Sequence, residues 1–312
     1  MYDVIILGSG PAGLTAGIYT VRAGRKTLLI AGTSWGGQLM FTTLVENFPG
    51  FPDGIQGPEL IMNMRKQAER LGVEILNEEF TQADFSTTPF KITASDKIYE
   101  AKSVIIATGA DSIWLGVPNE AELRGRGVST CATCDAFFFR GKNVVVVGGG
   151  DSAMEEALVL AQIANSVTII HRRDRFRASQ AMQNKVFSNP KIKVIWNKIV
   201  VRFIGKDKLT GVVLKDVKSN KEEELKTEGV FIAIGHKPNT DRLKGIELDA
   251  KGYVVRKEIR SENGLLEYRS ATNVPGVFVA GDVEDYRYKQ AITAAGFGCM
   301  AALDADRWLS KC

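Results

Sequence analysis

The stretch Asp3-Val4-Ile5-Ile6-Leu7-Gly8-Ser9-Gly10-Pro11-Ala12-Gly13 sets the architecture of this chain. Its first residues read as a buried strand, and Leu14 to Tyr19 reads as the helix that follows. Between them stands G-x-G-x-x-G, in the strand–turn–helix context that gives the pattern its meaning. Gly8 makes the tight turn, Gly10 lets backbone approach a pyrophosphate at the helix N-terminus, and Gly13 allows close packing of helix on strand. Pro11 and Ala12 complete the turn. The next strand, Thr27-Leu28-Leu29-Ile30, ends at Ala31-Gly32, where the fingerprint expects an acid for a ribose hydroxyl. Neither Asp nor Glu is there, so something else must hold the adenosine, and nothing assigns a nicotinamide nucleotide to this first turn.

Beyond it, Gly36-Gly37-Gln38-Leu39 and Val45-Glu46-Asn47-Phe48-Pro49-Gly50 are glycine-rich, amide-bearing and aromatic. They resemble a loop lying against a large cofactor, with Gly37, Gln38, Leu39 and Asn47 as contacts, more than an ordinary surface crossover. Leu60, Met64, Ala68 and Leu71 recur at helical spacing, which predicts a helix over 57–71. Strand-like pieces follow near Val73–Leu76, Phe90–Thr93 and Ser103–Ala107, and Thr108-Gly109-Ala110 closes the block. Pro118 to Gly127 is polar and reads as a connector.

The plan then starts again. Val144 to Val147 is a strand, Gly148-Gly149-Gly150-Asp151-Ser152-Ala153 is a G-x-G-x-x-A turn, and Ala153 to Ala164 is a helix. Alternating residues from Lys206 to Lys226 predict an antiparallel meander. It ends in Gly229-Val230-Phe231-Ile232-Ala233-Ile234-Gly235, an echo of Ser103 to Gly109. From Gly13 to Gly109 is 96 residues, and from Ala153 to Gly235 is 82. This is an internal duplication of one dinucleotide-binding plan. The tail does not repeat it. Val277-Phe278-Val279-Ala280-Gly281-Asp282 is one more buried strand with an acid at its end, and Lys289-Gln290-Ala291-Ile292 opens a helix through Ala302. Such a tail most simply completes the first domain, so the expected parts are 1–113, an inserted 114–240, and 241–312.

With 312 residues, the chain has room for two ordinary cores. Its 40 basic and 36 acidic residues are interspersed, which argues against a nucleic-acid or membrane surface. No apolar run approaches a membrane span, and the N-terminus lacks the features of a signal peptide. Four cysteines are too few for a disulfide scaffold, so a cytoplasmic location with one functional pair is expected.

That pair is Cys131-Ala132-Thr133-Cys134. The spacing lets two thiols close a disulfide and share electrons reversibly. A C-x-x-C also suits half of a zinc site, and it can be inert packing. A structural zinc needs four ligands, however, and Cys299, Cys312, His171 and His236 form no second closely spaced pair; no metal is expected. Asp135, beside Cys134, is the leading general acid, because exchange leaves a thiolate that must gain a proton. Cys299 is expected to be a packing residue, and Cys312 is given no role. At the end of the second strand of the repeat stand His171-Arg172-Arg173, with Arg177 beyond. Guanidinium forks there suit a 2′-phosphate, which points to NADPH. The first site then needs a partner that turns hydride into thiol chemistry, as a flavin does.

Taken together, GSGPAG (8–13), GGQL (36–39), VENFPG (45–50), IIATGA (105–110), CATCD (131–135), GGGDSAMEEA (148–157), HRRDRFRA (171–178), AIGHKPN (233–239), GVFVAGDV (276–283) and KQAITAAGFGCMAA (289–302) resemble the bacterial-type, low-molecular-weight thioredoxin reductases. The resemblance covers essentially the whole chain. It implies two Rossmann-like α/β domains of the pyridine nucleotide-disulfide oxidoreductase class, the second inserted into the first. It further implies FAD at the first turn, NADPH at the second (Gly148, Gly150, Asp151, Ser152, Ala153), a homodimer, and thioredoxin as protein substrate. Cys134 would face the flavin and Cys131 would exchange with thioredoxin. Gly281, Asp282, Gln290 and Ala291 would touch the flavin nucleotide. Ala136 and Phe139 stand where that family often has glycine and tyrosine.

Related chemistries fit less well. A glutathione-reductase type needs a base histidine near the C-terminus, and none follows His236. A dithiol oxidase has no use for the arginine cluster. Reduction of another thioredoxin-like protein, or a redox-sensing flavoprotein, remain as alternatives. Both cysteines lie in the inserted domain while the flavin belongs to the flanking one. The inserted domain is therefore expected to swing, on hinges near Leu115-Gly116 and Asp241-Arg242.

Overall fold

The computed structural model describes residues 1–42 and 44–311, so Cys312 lies outside the described residues. Two compact units emerge, Met1–Asp111 with Lys237–Cys312, and Ser112–His236, the second interrupting the first along the chain.

In the first unit β1 (Tyr2–Leu7) leads through the glycine turn into α1 (Pro11–Arg22) and β2 (Thr27–Ile30). Then come α2 (Gly57–Arg70), β3 (Glu74–Leu76), β4 (Phe80–Asp84), β5 (Phe90–Ala94) and β6 (Lys97–Ile106). β1 lies between β2 and β6 in parallel, and Val4 to Leu7 are fully buried, as in a sheet covered on both faces. Of these strands β4 does not show in the sequence, because exposed Thr81 and Gln82 interrupt the apolar alternation.

The second unit repeats the plan. β7 (Val128–Ser129) precedes the short helix α3 (Ala132–Asp135), then β8 (Asn143–Gly148), α4 (Asp151–Ile163), β9 (Ser166–His171) and β10 (Ile192–Trp196). The charged stretch supplies β12 (Leu209–Asp216) and β13 (Glu222–Lys226), which complete an antiparallel meander with β11 (Lys198–Gly205) lying ahead of it, and β14 (Gly229–Ala233) returns to the sheet. β8 lies in parallel between β9 and β14, as β1 lies between β2 and β6. The likeness extends to atoms. A Cβ on Gly8 would stand 2.3 Å from Ala107 O, and one on Gly148 would stand 2.5 Å from Ala233 O. Within the stretch read as a connector, Glu120–Leu123 makes one helical turn, and the buried Glu120 carboxylate accepts Leu115 N–H and Gly116 N–H at 2.9 and 2.8 Å.

The tail rejoins the first unit. β15 (Lys257–Arg260) and β16 (Leu266–Ala271) form a hairpin, β17 (Val277–Val279) pairs in parallel with β6, and α5 (Ala291–Leu309) packs on α1. The helix runs a full turn and more past Ala302. In its own sheet β7 sits beside β14 as β17 sits beside β6, so the duplicated plan recruits this strand from opposite ends of its sequence. Among the described residues no helix is long and apolar enough to cross a membrane.

Candidate active site

Cys131 and Cys134 are joined as a disulfide, their Cα atoms 5.3 Å apart. One helical turn brings them together. Cys131 is the extended N-cap of α3 and Cys134 lies one turn on, while buried Ala132, Ala136 and Phe139 fasten the turn to the core of the second unit. Cys134 is exposed and Cys131 half-buried. Three side chains hold the turn. The buried Ser129 hydroxyl accepts Cys131 N–H at 3.1 Å and donates to Asp135 Oδ2 at 2.5 Å. Glu156, on α4, accepts Ala132 N–H. Thr133 Oγ1 lies 3.2 Å from Cys131 Sγ. Burial pushes the Asp135 carboxyl above the usual carboxylate range, and the Ser129 hydroxyl opposes that rise. Asp135 is thus an acid beside the pair that holds its proton more tightly than a surface aspartate. Cys299 is a half-buried free thiol on α5.

Ser129, Thr133 and Glu156 escape sequence reasoning. A serine before a cysteine carries no spacing signal, and Glu156 meets the turn only because α4 packs behind it.

In the second unit, the glycine turn and the basic run come together. Arg177 N–H donates to Gly149 O at 2.8 Å, and Ser179 N–H donates to Asp151 Oδ1 at 2.8 Å. Arg172, Arg173 and Arg177 are exposed. His171 instead lies under the turn, 6% exposed, against Phe176 and Trp196. A Cβ on Gly149 would fall 2.2 Å from its ring, so the middle glycine is required by this histidine. Burial, with the charges of Arg172 and Arg173, pulls its pKa down and keeps the ring neutral.

In the first unit, residues from distant parts of the sequence gather at the C-terminal ends of β1, β6 and β17. A Cβ on Gly281 would lie 2.9 Å from Ala12 Cβ, and one on Gly37 would lie 3.5 Å from Gly10 Cα. Asn47 Nδ2 donates to Gln290 Oε1 at 3.2 Å, and Gln290 caps α5 just ahead of Ala291. Gln38 Nε2, next to Leu39, donates to Asp111 Oδ1 at 2.9 Å, and Gly109 follows β6 with φ +72°. Where an acid is missing after β2, Ser9 Oγ donates to Ala31 O at 3.0 Å and accepts Gly36 N–H at 2.9 Å. A carboxylate does reach this region from elsewhere: Glu79, just before β4, accepts Thr33 N–H at 3.0 Å.

Both turns fit a dinucleotide. Gly10 and Gly150 have φ of −70° and −101°, which any residue adopts, and a Cβ on either would meet nothing within 4 Å. Packing within the chain therefore does not require glycine at these positions, whereas a pyrophosphate approaching the backbone does. Neither α1 nor α4 has a side-chain cap, so both N-termini are open to an anion.

Two dinucleotide turns and a reducible disulfide define a class, and the chain belongs to it: the family model for pyridine nucleotide-disulphide oxidoreductases matches residues 2–298. The chain is 49% identical to a thioredoxin reductase of Coxiella burnetii, over 99% of this chain and 97% of the relative. It is 51% identical to one of Streptomyces clavuligerus, over 99% and 94%. Its structure is similar to the thioredoxin reductase of Giardia duodenalis, with TM-score 0.92, 43% identity and 99% of each chain covered. Within that class it is a member of the low-molecular-weight thioredoxin reductase family.

Proposed function

We propose that the protein reduces oxidised thioredoxin at the expense of NADPH, through FAD and the Cys131–Cys134 disulfide. One observation carries this reading: the pair, with a half-buried acid beside it, is built onto the same unit as the arginine-flanked glycine turn. FAD would be held by Gly8, Gly10, Pro11, Ala12, Gly13, Gly37, Gln38, Leu39, Asn47, Gly109, Gly281, Asp282, Gln290 and Ala291. NADPH would be held by Gly148, Gly150, Asp151, Ser152 and Ala153, with Arg172, Arg173 and Arg177 on the 2′-phosphate and His171 as the floor of the turn. When bound, NADPH supplies a hydride and FAD converts it into an electron pair.

The remaining chemistry belongs to the chain. Two electrons and two protons open the Cys131–Cys134 bond to two thiols. Cys131, as thiolate, attacks one sulfur of the thioredoxin disulfide, forming a mixed disulfide and releasing a thiolate on the partner. Cys134 then attacks Cys131 Sγ, which breaks the mixed bond, frees the second partner thiolate and restores the enzyme disulfide. Asp135 takes a proton from an attacking thiol and returns it to a departing thiolate, so its own state is unchanged over a cycle. Phe137 and Phe138, exposed just after the pair, offer an apolar surface to the protein substrate.

Exposed Ile292 and Leu303 on α5, with Tyr19 on α1, make a face suited to a second copy of the chain. Sedimentation returning a monomer at micromolar concentration would remove the homodimer. The few cysteines support a cytoplasmic location, and recovery of the protein from a secreted fraction would contradict that reading.

Substitution of either cysteine tests the central reading. Cys131→Ser and Cys134→Ser should each abolish thioredoxin reduction while leaving FAD bound and reducible by NADPH in stopped flow. A flavin that no longer accepts hydride in these variants would give the pair a structural role instead. Full reduction of flavin and pair with no transfer to thioredoxin would favour another thioredoxin-like substrate.

A further inference from the structure

Ser129 stands where the chain turns from β7 into the redox turn, 8% exposed and fixed by the parallel pairing of Ser129 with Phe231 of β14. Its hydroxyl has one hydrogen and three neighbours. Asp135 Oδ2 lies at 2.5 Å, Cys131 N at 3.1 Å and Cys131 O at 3.5 Å. Cys131 N–H can only donate, so Oγ accepts from it. The remaining question is where the hydroxyl proton goes. An ionised Asp135 can only accept, and it takes that proton over the short contact. A protonated Asp135 can donate to Oγ from Oδ2, and the hydroxyl must then turn to the more distant Cys131 carbonyl. The first arrangement is the better satisfied of the two.

We propose that Ser129 is the positioning residue of the thiol–disulfide exchange: its single hydroxyl proton favours the ionised form of Asp135, occupies Oδ2 so that Oδ1 carries the relayed proton, and ties that carboxyl to the Cys131 backbone. The proposal rests on Asp135 being the acid. No net proton passes through Ser129. Asp135 receives one proton from an enzyme thiol and gives it to a partner thiolate, while the hydroxyl only reorients.

Other charged groups lie on the elements around the turn. Glu156 comes from α4 and is engaged with Ala132 N–H, Arg140 lies over the Phe137 ring, and Lys142 lies over Phe139. The two thiols of the reduced pair titrate as well. Burial and the Ser129 hydroxyl are the influences that bear on Asp135 itself. Without the hydroxyl, burial acts unopposed and the carboxyl holds its proton to higher pH.

The test follows single-turnover reoxidation of the dithiol by oxidised thioredoxin, in FAD-loaded enzyme, from pH 5 to about pH 9. In the native enzyme the low-pH limb rises as Asp135 deprotonates and becomes able to take the thiol proton. Ser129→Ala and Ser129→Gly should both move that limb to higher pH and lower the maximal rate about tenfold, the scale of one hydrogen bond to a charged group. Ser129→Thr, which keeps the hydroxyl, should hold the native limb. Asp135→Asn should abolish it. If Asp135→Asn leaves the limb in place, the limb belongs to a thiol and the reading of Asp135 fails. If Asp135→Asn abolishes it but both Ser129 deletions leave its position unmoved, or move it down, Ser129 is structural only and the proposal is overturned.

Discussion

Asp282 follows β17 and Gly281, crowded by protein on most sides and faced by the charge of Asp285. Burial, with that neighbour, raises its carboxyl from the ordinary 3.8 to about 7. An acid whose pKa is higher folded than unfolded binds its proton more tightly in the folded chain. Its contribution to stability is therefore largest below about pH 4 and is lost as pH rises through about 7. FAD-stripped protein should melt at progressively lower temperature from pH 5 to pH 8, and Asp282→Asn should flatten that slope. A slope equal in both proteins would place the titration elsewhere, with Glu284, itself raised to about 7 chiefly by burial, as the next candidate. At this scale the sequence shows which residues react but not what holds them. C-x-x-C and the acid beside it are legible because their chemistry is local. Ser129 and Glu156 are not, because each meets the redox turn through a strand end or a helix face fixed only by packing. His171 illustrates the same limit: its place at the end of β9 suggests a phosphate contact, and its ring lies beneath Gly149 instead.

The glycine turns separate what the fold needs from what a ligand needs. Gly8 has φ +109°, and its Cβ would fall 2.3 Å from Ala107 O, so Gly8→Ala should destabilise the first unit by roughly 1–3 kcal/mol whether or not FAD is present. Gly10→Ala meets neither obstacle. The cofactor-free protein should lose less than about 1 kcal/mol, while FAD is retained poorly through purification. Flavin content and melting temperature of the two variants decide the matter, and undiminished flavin in Gly10→Ala would mean that the open space at that turn is not the pyrophosphate site. The basic run after β9 allows a parallel test. Neutralising Arg172, Arg173 and Arg177 together should raise KM for NADPH and lower the preference over NADH by on the order of tenfold or more, solvent exposure limiting each guanidinium's share. An unchanged kcat/KM ratio for the two nucleotides would reduce the run to a solvated turn. Elements were legible wherever periodicity was strong. The fingerprint strands, α2 and the meander follow the pattern, whereas β4 and the β15–β16 hairpin are short, half-exposed and patterned by their partners.

The duplication is readable from two glycine turns and two closing glycines: Gly8 and Gly148 answer to the same backbone approach, to Ala107 O and Ala233 O, and Gly109 and Gly235 share a positive φ. What each unit contributes then bears on motion. The disulfide and the arginine-flanked turn belong to the inserted unit, and the other turn belongs to the flanking one. The flavin must meet the disulfide in one step and nicotinamide in another, and the dithiol must also be open to a protein. One rigid arrangement does not readily serve all three, so the inserted unit is expected to alternate between two orientations. The hinges expected at Leu115-Gly116 and Asp241-Arg242 each carry residues bonded within their own unit. Leu115 and Gly116 are bonded to buried Glu120, and Arg242 donates to Glu79 at 2.7 Å and to Phe80 O at 2.8 Å. The division between units falls a few residues ahead of them, at Asp111–Ser112 and His236–Lys237, and rotation at these joins is the expectation to be tested. A photoreleasable crosslink that forms only when the pair faces the flavin provides the test. The locked enzyme should lose NADPH-to-flavin hydride transfer in stopped flow, keep its bound FAD, and regain transfer on illumination. Full turnover by demonstrably locked enzyme would require a single geometry to serve both steps, and the alternating arrangement would have to be abandoned.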